Sequence, residues 1–430
     1  MSKKIRLGLF GLGTVGSGLI NIIEKRKAQL LESDGIELEV VKAVVRDTNK
    51  TRGCTTEDIE ITSNLDDILK DDSLDLIVEL IGGTDVASTI VKTALNNQKP
   101  VVSANKALIA EQGEELLKLA NEAQVPFFAE ASVGGGIPIL KTLRESLVAN
   151  EIKSLTAIIN GTTNFILTKM EEEGLSYKDA LQIASELGFA EADPTFDVEG
   201  IDAQQKLRIL AAHILGGNYP VGEISCEGIT ALNAHDFAFA EKHDLSIKLL
   251  ALAIRKNGEI ELRVHPTLIS NLHPLASVRN EFNAVFLNGD AVGEVMLSGR
   301  GAGSLPTASA VYADIVDICT RTSTSSTPKQ KTYNTVSIVK KENIETEYYL
   351  CFTILDQPGV IGEIASILGK NKISVSSVSA ELIENSDDLG VVDVIVHKSK
   401  ESSLIEAIKE VNQLERTRGE GKFIRIERNI

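Results

Sequence analysis

A chain of 430 residues is long enough for two or three domains with cores of their own. Its composition, 43% apolar and 24% charged without tryptophan, is that of a soluble globular protein, and a formal net charge of −17 argues against nucleic acid or an anionic membrane as a bulk partner. Cys54, Cys226, Cys319 and Cys351 are scattered and form no C-x-x-C pair, as expected of free thiols in a reducing cytoplasm. The apolar run behind Lys3, Lys4 and Arg6 is broken by Gly8, Gly11, Gly13, Gly16 and Gly18 and continues into a helix, so it is not read as a signal peptide. No apolar stretch is long enough to span a bilayer, and a cytoplasmic location is expected.

Residues 4–10, KIRLGLF, read as a buried strand, and GLGTVG follows at once, with a helical pattern from Thr14 to about Leu31. Gly11, Gly13 and Gly16 match G-x-G-x-x-G in the one context that gives that motif weight, between strand and helix. Gly11 makes the tight turn, Gly13 admits a pyrophosphate to the backbone, and Gly16 lets helix pack on strand, with Leu12, Thr14 and Val15 filling the loop. The second strand, ELEVVKAVVRD, ends on Arg46-Asp47, near Lys50 and Arg52. A carboxylate there would bind the ribose hydroxyls of NAD(H), and an arginine the 2′-phosphate of NADP(H). The chain offers both, and Arg46 comes first, so NADP(H) is expected with NAD(H) tolerated.

LDLIVELIGG (74–83) is a further strand ending in glycines, and PVVSANKALIA (100–110) another, with Lys106 at its carboxyl end. Open α/β sheets bind ligands at that end, which directs Lys106 towards cofactor and substrate. PFFAEASVGGGIPIL (126–140) begins as a strand and dissolves into three glycines and a proline, a hinge into a second domain. SLTAIINGTTNFILTKM then gives strand, polar turn and helix; Asn160, Gly161, Thr162 and Thr163 offer neutral hydrogen-bonding groups, although a helix N-cap alone explains them.

The stretch ASELGFAEADPTFDVEGIDAQQK (184–206) holds Glu186, Glu191, Asp193, Asp197, Glu199 and Asp202 and ends on Lys206. Gly188, Pro194 and Gly200 prevent a continuous helix, so several carboxylates sit on a backbone-shaped loop. From about Ile201 a helical pattern puts Asp202 and Lys206 on one face, four apart. Beyond it, His235, His243, His265 and His273 lack the spacing of metal ligands and read as structural or surface residues. SGRGAGSLPTASAV (298–311) is a second glycine-rich loop opening a helix, anion-friendly like the first. TRTSTSSTPKQKTYNT (320–335) is a linker by composition, and the remainder reads β-α-β-β-α-β, a ferredoxin-like unit opened by Asp356, Pro358, Gly359 and Val360.

Taken together, Ala184, Gly188, Asp193-Pro194, Asp197, Gly200, Asp202 and Lys206 resemble the homoserine dehydrogenase signature in residues and spacing. The D-x-P-G-V start of the last unit resembles the ACT family of small-molecule regulatory domains. The resemblance covers nearly the whole chain and is to the monofunctional form. It implies an α/β protein of three parts: a Rossmann domain of residues 1–136 plus about 304–320, an α+β catalytic and dimerisation domain of 137–303, and, after a linker of 321–347, a ferredoxin-like ACT domain of 348–428. It implies reversible NAD(P)-dependent interconversion of L-homoserine and L-aspartate 4-semialdehyde, with L-threonine as effector at the ACT domain and a homodimer or homotetramer. It places Lys106 of S-A-N-K at the nicotinamide, Gly188 and Gly303 at the nucleotide, and Gly161 and Thr162 against the amino acid. It also wraps a monovalent cation, sodium or potassium, in Glu130, Val133, Gly135 and Ile137, three of them through backbone oxygens.

Lys206 is the expected general acid/base for the hydroxyl-to-aldehyde step. An ordinary lysine titrates near about 10.4, so burial or a second cation such as Lys106 should lower it. Glu191 with Asp197 or Asp202 can bind the substrate ammonium; Asp202 can instead orient Lys206, and spacing does not separate these roles. Two competing readings are another dehydrogenase on the same scaffold and a non-catalytic amino-acid sensor. Retention of both lysines argues against the sensor.

Overall fold

A computed structural model describes every residue except Met1, Gly216, Asn218, 322–335, Glu384, Asn385, Asp387 and Asn429. Most of the expected linker therefore lies outside the described residues. The first sheet contains β1 (Lys3–Phe10), β2 (Ile36–Val44), β3 (Glu60–Thr62), β4 (Leu76–Glu79), β5 (Val101–Ser103) and β6 (Phe127–Phe128), in the order β3-β2-β1-β4-β5-β6. Every pairing is parallel, so the sheet is doubly wound and its order reverses between β1 and β4. The period-2 alternation of its strands separates two cores. Leu7, Leu9, Val78 and Val102 face the helices Thr14–Asp34 and Ser304–Thr320. Phe10, Ile77, Val101 and Phe127 face the helices Asp85–Asn96 and Lys106–Ala123. The chain thus returns to its first sheet, long after leaving β6 at Phe128, through the apolar face of Ala308, Val311 and Ile315 on the helix that starts at Ser304.

The second sheet is larger. Its strands are β7 (Ile152–Ile158), β8 (Ser225–Cys226), β9 (Leu245–Lys256), β10 (Glu259–Ser270), β11 (Phe282–Gly289), β12 (Gly293–Arg300), β13 (Glu345–Leu355), β14 (Val375–Leu382), β15 (Leu389–Lys400) and β16 (Thr417–Glu427). The order is β12-β11-β7-β9-β10-β16-β13-β15-β14, with β8 added on β10. The last four strands, with helices Val360–Lys370 and Glu401–Asn412, form the β-α-β-β-α-β unit read from the sequence. The unit is not a detached module. β16 runs parallel to β10 through Thr267↔Arg425, Leu268↔Ile426 and Ile269↔Glu427, so the two sheets are continuous. One face of β13 carries Leu350 and Phe352 into the unit's own core; the other carries Tyr349 and Cys351 into the core of the middle domain. Among the described residues, no helix is long and apolar enough to cross a membrane.

Candidate active site

The strand ends around the topological switch point carry the site. β4 ends on Glu79, whose carboxylate is fully buried. It accepts hydrogen bonds from the Ser103 hydroxyl (2.6 Å) and the Ile81 backbone N–H (2.9 Å), joining the loops that follow β4 and β5. Burial pushes the Glu79 carboxyl up in pKa, and these donors oppose the shift. Asn105, on the second loop, donates to the Gly83 carbonyl (2.6 Å) and accepts from the Leu108 N–H (3.1 Å), capping the helix that begins with Lys106. Lys106 thus leaves a fixed corner of backbone.

Its ammonium reaches the carboxylate of Asp202, the second residue of helix Ile201–Leu215. One turn further, Lys206 donates to the other oxygen of Asp202 (2.7 Å) and to the Ile159 carbonyl (2.7 Å). Asn160 completes the cluster, donating to Asp202 (2.9 Å) and to Asp197 (2.7 Å). The Asp202 side chain is only 8% exposed. Burial alone would raise its pKa, but Lys206 and Lys106 outweigh that and hold the carboxyl well below the usual range. The Asp202 carboxylate therefore stands between two lysine head groups, one on each oxygen.

The polar turn lies beneath this cluster. Asn160 caps its helix by accepting from the Thr163 N–H (2.8 Å), and Thr162 donates to the Phe189 carbonyl (2.7 Å). A Cβ on Gly161 would come within 2.7 Å of the Glu281 carbonyl oxygen, so only glycine fits there. Glu191 and Gly188 are exposed on the loop leading into the cluster, and Phe196 lies with its ring centroid 4.9 Å from the Lys106 ammonium. Neither Glu79 nor Phe196 stands out in the sequence. A carboxylate inside the apolar run LIVELIGG is the one signal that points to Glu79.

The first glycine loop fits a dinucleotide. Gly11 has φ +98°, and a Cβ there would lie 2.7 Å from the Leu80 carbonyl oxygen; at Gly16 it would lie 2.5 Å from the Gly11 oxygen. Gly13 has nothing within 4 Å, which is open room for a pyrophosphate, and the helix it caps has no side-chain cap and no acidic residue in its first turn. Leu12 is buried, Val15 half-buried and Thr14 exposed, so the loop presents its backbone and Thr14 at the surface. Gly303 (φ +114°) caps helix Ser304–Thr320, and Ser304 donates to the Thr14 carbonyl (2.7 Å), placing the two glycine-capped termini side by side. Arg46 is exposed just past β2, while Arg52 is turned back onto the carbonyls of Asp47 and Lys50.

The 130–137 segment links these parts. The Glu130 carboxylate accepts the backbone N–H groups of Leu140 (2.8 Å) and Lys141 (2.7 Å), so it caps the start of the next helix. Val133 and Ile137 bury their side chains, and the Ile137 carbonyl accepts from the Ile139 N–H (2.8 Å). Gly135 (φ +54°) lies against the second glycine loop: a Cβ there would come 2.4 Å from the Gly301 oxygen.

Residues 138–316 match the family model described as homoserine dehydrogenase, and residues 11–130 match its NAD-binding domain. Homoserine dehydrogenases of Synechocystis and Bacillus subtilis are 39% and 37% identical over 98–99% of this chain and 99% of their own length. The crystal structure of a homoserine dehydrogenase from Thiobacillus denitrificans covers 99% of both chains at 39% identity with a TM-score of 0.93. A hyperthermophilic archaeal homoserine dehydrogenase in complex with NADPH is 31% identical over 74% of this chain and 98% of its own, with a TM-score of 0.63. The chain belongs to the homoserine dehydrogenase family of NAD(P)-dependent oxidoreductases acting on a hydroxyl group.

Proposed function

We propose that the chain interconverts L-homoserine and L-aspartate 4-semialdehyde, with the proton carried by Lys206. The observation behind this reading is the Lys106–Asp202–Lys206 cluster, built from the carboxyl end of β5 in the same parallel sheet whose β1 runs into the glycine loop. NADP(H), when bound there, supplies or accepts the hydride. What remains for the chain is to hold the substrate and to manage one proton. In the reducing direction an alkoxide forms at C4, and an ammonium beside it stabilises that charge and gives up a proton; in the oxidising direction the neutral amine takes the hydroxyl proton. Lys206 suits this because Asp202 and the Ile159 carbonyl fix its head group. Lys106, on the other oxygen of Asp202, supplies the second positive charge.

Asp197, held by Asn160, and Glu191 on the loop above would bind the substrate ammonium, with Gly161 and Thr162 lining the amino-acid end. Exposed Arg46 beyond β2 favours NADP(H) over NAD(H) through the 2′-phosphate. Backbone oxygens of the 130–137 turn suit a sodium or potassium ion. The Glu130 carboxylate is occupied by helix N–H groups and would serve as a shared anion beside it. The C-terminal β-α-β-β-α-β unit is assigned an ACT-type regulatory role with L-threonine as effector, in a homodimer or homotetramer.

The test is NADPH formation from L-homoserine at alkaline pH, beside a Lys206→Ala variant. Robust wild-type turnover that falls by about 100-fold or more in the variant supports the assignment. Turnover surviving the substitution moves the proton step to Lys106. No turnover with NADP or NAD discards the substrate.

A further inference from the structure

The helix Ala234–Lys242 of the middle domain lies across the open face of the C-terminal unit's sheet. Its contacts there are polar and close. His235 Nε2 sits 3.0 Å from both carboxylate oxygens of Asp393, and Lys242 pairs with Glu381 at 2.6 Å. Lys422 pairs with Asp236 at 2.7 Å, and Phe239 stacks on Tyr349 with ring centroids 3.8 Å apart. Beneath His235, β13 and β15 place Cys351 and Asp393 directly opposite one another in the antiparallel register, so both side chains rise from the same face. The Tyr349 hydroxyl donates to Asp393 (2.9 Å) and fixes the carboxylate from behind. One imidazole nitrogen, one thiol and one carboxylate, from three separate elements, thus lie within 4.8 Å of one another. No other described group of three such side chains is gathered in this way.

We propose that His235, Cys351 and Asp393 form a binding site for a borderline-soft divalent cation of the Zn²⁺ class, which clamps the C-terminal unit to the middle domain. The donor set selects the metal. Thiolate and imidazole suit Zn²⁺ and its neighbours, whereas Mg²⁺ and Ca²⁺ require oxygen ligands. A tetrahedron with Zn–S near 2.3 Å and Zn–N and Zn–O near 2.0–2.2 Å has edges of roughly 3.3–3.8 Å, so donors lying within 4.8 Å of one another reach it by closing in by about 1 Å. His235 keeps about a third of its side-chain surface exposed (34%), leaving an approach for the ion and a fourth position for water. Cys351 and Asp393 are buried, which shields the remaining ligands from exchange. Binding would release the thiol proton and the proton that His235 shares with Asp393, and the Tyr349 hydroxyl would orient the ligating carboxylate. The other three cysteines are elsewhere: Cys226 lies against the Glu199 carbonyl, Cys319 is in the core of the first domain, and Cys54 packs against that core.

The experiment is a titration of the full chain, thiols reduced, with Co²⁺ as a spectroscopic stand-in and Zn²⁺ as competitor. One equivalent of Co²⁺ should give a near-ultraviolet thiolate-to-cobalt absorption that Zn²⁺ abolishes. Cys351→Ser should lose the band, and His235→Gln and Asp393→Asn should each weaken Co²⁺ binding by about tenfold or more, with far-ultraviolet circular dichroism unchanged. The melting temperature of the wild type, but not of Cys351→Ser, should rise on adding Zn²⁺. A band that persists in Cys351→Ser, or that is indifferent to both His235→Gln and Asp393→Asn, means adventitious thiol binding and overturns the proposal. Absence of a saturable band overturns it equally.

Discussion

Lys248 shows what a single buried charge does to this protein. Its side chain is fully buried on β9, with the ammonium donating to the Val278 carbonyl (3.0 Å) and standing 3.9 Å from Glu171. Glu171 does not neutralise it well, because Arg279 pairs with the same carboxylate. Burial is the largest influence and pulls the Lys248 pKa down to about 8. An unfolded lysine titrates near about 10.4, so between these values the unfolded chain holds a proton the folded chain has lost. Folding stability attributable to Lys248 therefore rises as pH climbs from about 8 to about 10.4, and is flat below. Comparing wild type with Lys248→Met by denaturant unfolding, the stability difference should shift by about 3 kcal/mol in favour of wild type across that window. A difference that stays constant with pH would mean that the ammonium is already well solvated or paired.

At the scale of elements, the two glycine-rich loops and the 130–137 turn act as one device, held together by close backbone approach. Gly134 and Gly135 separate that effect from simple conformational preference. Both have positive φ (+75° and +54°), so alanine at either costs about 1 kcal/mol of left-handed strain. At Gly134 the new Cβ meets nothing closer than 3.4 Å, but at Gly135 it lies 2.4 Å from the Gly301 carbonyl oxygen and must push the loop before Gly303 away. Gly135→Ala should therefore lower stability by roughly 2 kcal/mol more than Gly134→Ala and raise the cofactor KM several-fold, with Gly134→Ala near wild type in KM. Equal effects in thermal melts and cofactor titrations would show that the Gly301 contact does not govern the loop. Elements of this kind are also where the sequence is most legible. G-x-G-x-x-G between strand and helix, the Asp202–Lys206 spacing and the strand–helix rhythm of the last unit all show in local periodicity. The partnership of Lys106 with Asp202 does not, because the residues are 96 apart and meet only through the topology of two domains. Glu79 hides for a similar reason: its side-chain donor, Ser103, stands at the end of the neighbouring strand, 24 residues away. The four histidines illustrate the limit from the other side. Their spacing along the chain gives no metal site, yet His235 faces Asp393 and Cys351 across a domain junction.

Across the whole molecule, the junction of β10 with β16 joins the C-terminal unit to the Lys106–Asp202–Lys206 cluster by a short, continuous route. Arg425 on β16, 1% exposed, is bidentate to Glu401 of its own unit (2.8 and 2.7 Å) and to Glu227 of the middle domain (2.9 and 2.7 Å). Burial would raise the Glu227 carboxyl, but Arg425 outweighs it and keeps the group ionised. Glu227 in turn belongs to a tight crossing with the acidic loop. Ile229 donates to the Val198 carbonyl (2.8 Å), Cys226 approaches the Glu199 carbonyl (3.3 Å), and a Cβ on Gly228 would lie 2.4 Å from the Val198 oxygen. Four residues after Val198 stands Asp202, and Asp197 precedes it. A shift of β16 therefore bears on Asp197 and Asp202, the two carboxylates held by Asn160, with no slack at Gly228 to absorb it. Two substitutions distinguish this coupling from bulk stability. Arg425→Ala leaves Glu401, which has no exposed surface, short of its partner, and should cost about 3–5 kcal/mol in unfolding. Glu227→Gln keeps the Arg425–Glu401 pair and costs much less. If the crossing positions the acidic loop, Glu227→Gln raises the L-homoserine KM several-fold and leaves the cofactor KM unchanged, since the G-x-G-x-x-G loop follows β1 on the first sheet. An equal rise in both constants would indicate general loosening, and no change in either would leave the junction as a structural seam alone.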